Sequence, residues 1–155
     1  YSDIPALSPQ ILGFLQDKSI RVVFDLGGDP VGARALGRFH SYFQNEPHDF
    51  WIVVNPFRPN TRNPGEVEKL LSGLEENSRL GATGLIANIN LGQETTLPIW
   101  EDGLKILDDI GRSLGLPIVY QMIEARFLAA YPAYFDGYPN IFPVTLQMLP
   151  PWLQE

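Results

Sequence analysis

An apolar run, Val22-Val23-Phe24, leads directly into Asp25-Leu26-Gly27-Gly28-Asp29. A strand that delivers a carboxylate to its C-terminal edge, followed by glycines whose bare backbone can approach a phosphate, is what magnesium-nucleotide chemistry needs. Asp25, at the end of a buried strand, must find hydrogen-bond donors, a cation or a metal-bound water to offset its desolvation. The amides of Gly27 and Gly28 can point at a terminal phosphate, and Asp29 can accept a proton from an attacking water and orient it. The same residues also have plainer uses. Asp25 could cap the next turn, the glycines could serve only a tight strand-to-helix turn, and Asp29 could be the N-cap of a helix starting at Pro30 or Val31.

Two more loops carry polar groups suited to a ligand. Asn55-Pro56-Phe57-Arg58-Pro59-Asn60-Thr61-Arg62 is the most concentrated basic stretch. Arg58 and Arg62 could grip a phosphate through forked hydrogen bonds, or be solvated charges and ion-pair partners. In Asn88-Ile89-Asn90-Leu91-Gly92-Gln93-Glu94-Thr95-Thr96, the amide of Asn88 or Asn90 can read a base edge with both donor and acceptor, or satisfy its own turn. Gly13-Phe14-Leu15-Gln16-Asp17-Lys18-Ser19 imitates a phosphate-cradling loop and fails as one. Asp17 replaces the second glycine, the spacing is one residue short, and a strand is expected next. Lys18 reads as a surface residue, and His40 and His48 lack metal-ligand spacing.

The elements that must position these groups alternate between apolar strand-like runs and amphipathic stretches, the pattern of parallel strands joined by helical crossovers. Expected strands run from Ile20 to Leu26, Phe50 to Asn55, Thr83 to Asn88 and Leu116 to Tyr120, each nearly continuous in apolar residues, as for strands covered on both faces. Their C-terminal ends can share one edge, where ligands bind in open parallel sheets. One helix is expected from Val31 to Gln44, with Leu36, Phe39 and Phe43 on one face and Arg34 and Arg38 a turn apart on another. In the next, Asn63 caps, Pro64 suits the first turn, Glu66 follows at the capping-box position, and Val67, Leu70, Leu71 and Leu74 form the buried stripe. A third begins near Pro98, carries Trp100, Leu104, Leu107 and Leu114 inward, and stops at Gly115 before Pro117. Residues 1–130 read as one domain, and 131–155 as a Pro- and aromatic-rich segment packed on it, irregular apart from a short helix near Leu146.

The chain has 155 residues, 45% of them hydrophobic, enough for a substantial core. A net charge of -7 argues against nucleic-acid binding by the surface as a whole, leaving room for a local basic site. The absence of cysteine excludes disulfides, thiolate metal sites and a Cys nucleophile, and suits a cytoplasmic address. No apolar run reaches membrane-spanning length. The chain opens on Tyr1-Ser2-Asp3, without an initiator Met, and reads as a cut piece of a longer protein.

Asp25-Leu26-Gly27-Gly28-Asp29 with Gly32-Ala33 and Gly37-Arg38, then Val54-Asn55-Pro56-Phe57-Arg58-Pro59, then Asn88-Ile89-Asn90-Leu91-Gly92 with Glu94-Thr95, resemble the CobQ/CobB/MinD/ParA nucleotide-binding family of P-loop ATPases, in particular its poorly characterised bacterial ATP-binding members. The likeness extends from about Ile4 to about Arg126 and rests on the combined order of motifs. It implies a partial P-loop, Rossmann-like three-layer α/β fold binding ATP and magnesium. Asp25 would hold magnesium through water in the Walker B position, Gly28 would approach the γ-phosphate, and Asn88 would contact adenine together with the loop after Tyr120. The family's P-loop and its lysine do not occur in this sequence, so a nucleotide switch lacking its phosphate cradle, inactive alone, is the expectation. The missing P-loop strand would lie between the Asp25 strand and the 50–55 strand, so those two should pair directly, or the chain should dimerise, in preference to leaving a bare gap. The competing expectations are a non-enzymatic interaction module using the acidic surface and aromatic tail, and an enzyme using Asp25 and Asp29 as an acid/base or metal pair.

Overall fold

The structure is a computed structural model that describes Ser8 and residues 10–146. In chain order its elements are α1 (Gln10–Gln16), α2 (Pro30–Gly37), α3 (His40–Phe43), β1 (Trp51–Val54), α4 (Pro64–Ser78), β2 (Gly84–Asn88), α5 (Leu97–Leu114), β3 (Ile118–Glu124), α6 (Ala125–Ala130) and β4 (Ile141–Val144). Short 3-10 turns occupy Gly92–Glu94 and Pro132–Tyr134. The chain divides into two compact units, one of residues up to 48 with 69–81, the other of 49–68 with residues from 82 onward.

The second unit holds a 4-stranded sheet in the order β1-β2-β3-β4, parallel throughout, which is the α/β organisation expected from the alternating pattern. Side chains alternate between the two faces of each strand, and helix α5 packs on one of those faces, against β2 and β3. That face carries Ile52 and Val54 of β1 in register with Leu85 and Ala87 of β2, all buried. Helix α5 closes it with Trp100, Leu104, Leu107 and Ile110, also buried. Each such side chain contributes about 1.5–3 kcal/mol when fully removed from water. Trp100 also donates its indole N–H to the carbonyl of Met122 at 3.0 Å, so its one polar atom is satisfied. Gly103 allows the close approach, because a Cβ there would lie 2.7 Å from the Ile89 side chain.

Local signals set the helix ends. Asn63 accepts the Glu66 N–H at 3.0 Å, and the Glu66 carboxylate reaches back to the Arg62 N–H at 3.0 Å, so α4 is capped where the sequence indicated. Helix α5 ends at Gly115 with φ 68°, as expected, and its N-cap is Thr96, which the sequence reading passed over.

Four expectations are corrected. Residues 20–26 are not a strand of the sheet, so closure by direct pairing of this segment does not occur. They carry no regular secondary structure, with Phe24 6.4 Å from Phe39 and 6.2 Å from Phe43, ring centre to ring centre, and Val23 87% exposed. The helix expected from Val31 to Gln44 is two helices, broken where Phe39 N–H bonds Leu36 in a tighter turn just past Gly37. β1 is covered on one face only, since Trp51 and Val53 point away from Ile52 and Val54 and are 37% and 54% exposed. The 131–146 stretch is not irregular throughout. It adds β4, an edge strand, where Pro143 is tolerated because one side needs no ladder partner. The short helix expected near Leu146 falls largely on residues 147–155, outside those described.

Candidate functional site

In the first unit, the 25–32 loop connects the preceding segment to α2. Asp29 is the N-cap of α2, its Oδ1 accepting the Gly32 N–H at 2.7 Å, with Pro30 in the first turn. The plainer use of Asp29 is therefore the one the geometry shows. Asp25 is exposed and ends no strand, so the desolvation expected of it at a buried strand end does not arise; its carboxylate has no hydrogen-bond or ion-pair partner among the described residues. Gly28 is open, with nothing within 4 Å of an added Cβ. The steric demand in this loop falls on Gly32 instead, where a Cβ would lie 2.8 Å from the Cα and carbonyl oxygen of Gly27. Gly32 is therefore required by this backbone contact, whereas a Cβ on Gly27 would meet Gly32 Cα at an ordinary 3.5 Å.

In the second unit, the loops after β1 and β2 leave adjacent strand ends. Asn55 donates its amide to the Asn90 carbonyl at 2.8 Å and accepts the Phe57 N–H at 3.0 Å. Asn90 accepts the Gly92 N–H at 2.6 Å, and Leu91 N–H bonds the Thr95 hydroxyl at 2.8 Å. These contacts fix the β2–α5 loop. They give Asn90 Oδ1 a turn role, with Gly92 supplying φ 64°. Asn88, half-buried at the end of β2, has no hydrogen-bond partner among the described residues. A part-buried amide with both functions unused is suited to a ligand that offers an acceptor and a donor side by side.

Of the two arginines in the β1–α4 loop, Arg62 is committed to Glu66 at 3.0 Å, and this pairing lowers the Glu66 pKa through hydrogen bonds from the Arg62 backbone and guanidinium. Arg58 is exposed and has no ion pair among the described residues. The loop expected after Tyr120 is not there, because β3 continues to Glu124 and α6 begins at once. The groups at that edge are Glu124 and Arg126, ion-paired at 2.7 Å, with Arg126 also reaching the Thr95 carbonyl at 3.4 Å.

Asp25, Gly27, Gly28 and Asp29 thus lie in the first unit, and Arg58, Asn88 and Asn90 in the second. Lys18 pairs with Glu46 at 2.5 Å and sits over the Tyr42 ring, in keeping with its surface assignment. Among the described residues no group of three or more His, Asp or Glu side chains is placed to hold a metal ion, and no helix is long and apolar enough to cross a membrane. Comparison with family models, with curated proteins and with solved structures gives no match for this chain.

Proposed function

We propose that this chain is part of a nucleotide-dependent switch of the CobQ/CobB/MinD/ParA type. In the second unit Asn88 reads adenine and Arg58 meets a phosphate oxygen; in the first, taken by itself, Asp25 holds magnesium through water and Gly27 and Gly28 offer backbone amides to a phosphate. The observation that carries the reading is the unused, half-buried amide of Asn88 at the C-terminal end of a parallel strand, where ligands of open α/β sheets bind. Hydrolysis requires a phosphate cradle that this sequence does not contain, so binding is weak and turnover is absent in the chain alone.

The test is a thermal-shift and calorimetric titration with Mg-ATP and Mg-GTP, with intact mass measured on the same sample. Nucleotide at ten times its dissociation constant raises stability by about 1.4 kcal/mol. ATP should stabilise the chain more than GTP, Asn88→Ala should remove that preference, and Asp25→Ala should remove the magnesium dependence. No response to millimolar nucleotide, or one that both variants leave intact, refutes the reading.

A second reading, a protein-interaction module, is favoured by the exposure of Tyr131 (52%), Phe142 (49%), Trp51 and Val53. Trp51, Tyr120 and Phe142 lie in edge-to-face contact across the sheet face opposite α5, at 5.5 and 5.8 Å between ring centres. A homodimer through this face would show in sedimentation velocity as a concentration-dependent species lost in Val53→Asp.

A further inference from the structure

We propose that Arg34, Arg38 and Arg79 form a binding site for a small phosphate-class dianion, separate from the nucleotide reading and independent of it. Arg34, Arg38 and Arg79, with Gly37 and Asn77, line an open cleft of about 360 Å³ in the first unit, and no acidic residue lines it. The chain carries a net charge of -7, yet none of these arginines has an ion pair among the described residues; Arg21, Arg58 and Lys69 also have none, but those three do not line the cleft. Like charges gathered without a counter-ion repel one another, and a bound dianion reverses the sign of that interaction.

The cleft also shows construction. Gly37 lets α2 pack directly on the end of α4, since a Cβ there would lie 2.6 Å from the Asn77 carbonyl oxygen. Arg34 donates its Nε to Asn77 Oδ1 at 3.3 Å, and Asn77 is in turn held by its amide to the Gly73 carbonyl at 2.9 Å. This orients one edge of the Arg34 guanidinium and leaves its other N–H groups for an oxyanion. Arg38 follows one turn later on the same face of the chain. Arg79 occupies the position after α4 with φ 62°, a left-handed conformation that ordinarily selects glycine. The exposed carbonyls at the end of α4 attract a cation, which explains one arginine. They explain neither the presence of three arginines along one cleft nor a long side chain at a left-handed position.

The chemistry that fits is a tetrahedral oxyanion with charge near two, such as inorganic phosphate, pyrophosphate or a sugar phosphate, gripped by forked N–H···O bonds. The test is a titration of the full chain with inorganic phosphate and pyrophosphate at constant ionic strength, followed by calorimetry and by the arginine side-chain NMR signals. Saturable binding with a dissociation constant on the order of 1 mM is expected. Arg38→Gln should weaken it by about tenfold or more, as loss of a charge-assisted contact does. Arg79→Gly should weaken it comparably while keeping the fold, because glycine suits that backbone. A non-saturating response overturns the proposal, as does saturable binding that Arg38→Gln and Arg79→Gly leave unchanged. Phosphate binding abolished by Arg58→Gln, with these two variants unaffected, would place the anion in the β1–α4 loop, overturning this site while supporting the nucleotide reading.

Discussion

Replacing Arg79 by glycine should make the protein more stable. Arg79 sits at φ 62°, just past α4, with its N–H bonded to the Glu75 carbonyl at 2.7 Å. A left-handed backbone costs a residue with a Cβ about 1–2 kcal/mol. Glycine escapes that cost and instead widens the unfolded ensemble, at a loss of about 0.5–1 kcal/mol. The Arg79 side chain is exposed and makes no ion pair among the described residues, so its removal forfeits little packing. The net gain is about 0.5–1 kcal/mol, or a rise in melting temperature of roughly 1–4 °C for a chain of this size. Arg79→Ala is the necessary companion, because it removes the same charge and relieves the same repulsion while keeping the Cβ. Urea denaturation followed by circular dichroism on all three proteins isolates the backbone contribution as the difference between Gly and Ala. If Arg79→Gly is no more stable than Arg79→Ala, the strain argument fails, and with it one reason for assigning a function to this side chain.

Asp29→Ala should cost about 1 kcal/mol through loss of the α2 cap, whereas Asp29→Asn, which still offers an oxygen to the Gly32 N–H, should cost much less; equal losses in urea denaturation would contradict the capping geometry. Partial desolvation raises the pKa of Tyr134, a side chain still 36% exposed, above the ordinary phenol value, and hydrogen bonding to Glu101 and Tyr138 adds to the shift. The folded state therefore keeps this proton when the unfolded chain has lost it. The stability it contributes is complete below the unfolded phenol pKa of about 10 and declines as pH rises beyond it. Tyr134→Phe should flatten that alkaline decline in a pH series of denaturation midpoints, and an unchanged slope would show that the phenol is not its source.

Elements signalled by adjacent residues were legible before the structure. The apolar runs around Val53, Ile86 and Val119 become parallel strands, and the Asn63-Pro64 and Gly115 signals end helices where they should, because capping and periodicity act within a few residues. Other features depended on what stands beside each segment. The 20–26 run has a strand's composition but no strand partner among the described residues, and a ladder needs two members. The Pro-rich composition after residue 130 pointed to an irregular segment, and only the free edge of β3 gave Pro143 a strand position where a missing N–H costs nothing. The same division holds for the site. The types and order of Asp25, Asp29, Asn88 and Arg58 were plain from the sequence. Only the fold showed that Asp29 and Asn90 accept local hydrogen bonds while Asp25 and Asn88 do not. The basic stretch visible in the sequence loses Arg62 to Glu66, and the cluster that forms instead joins Arg79 to Arg34 and Arg38 across a close helix contact. Sequence by itself determined which residues carry charge and which short segments coil or extend, because those are local properties. Tertiary structure decided which charges meet and which stay unpaired, because only packing brings residues distant along the chain within reach of one another.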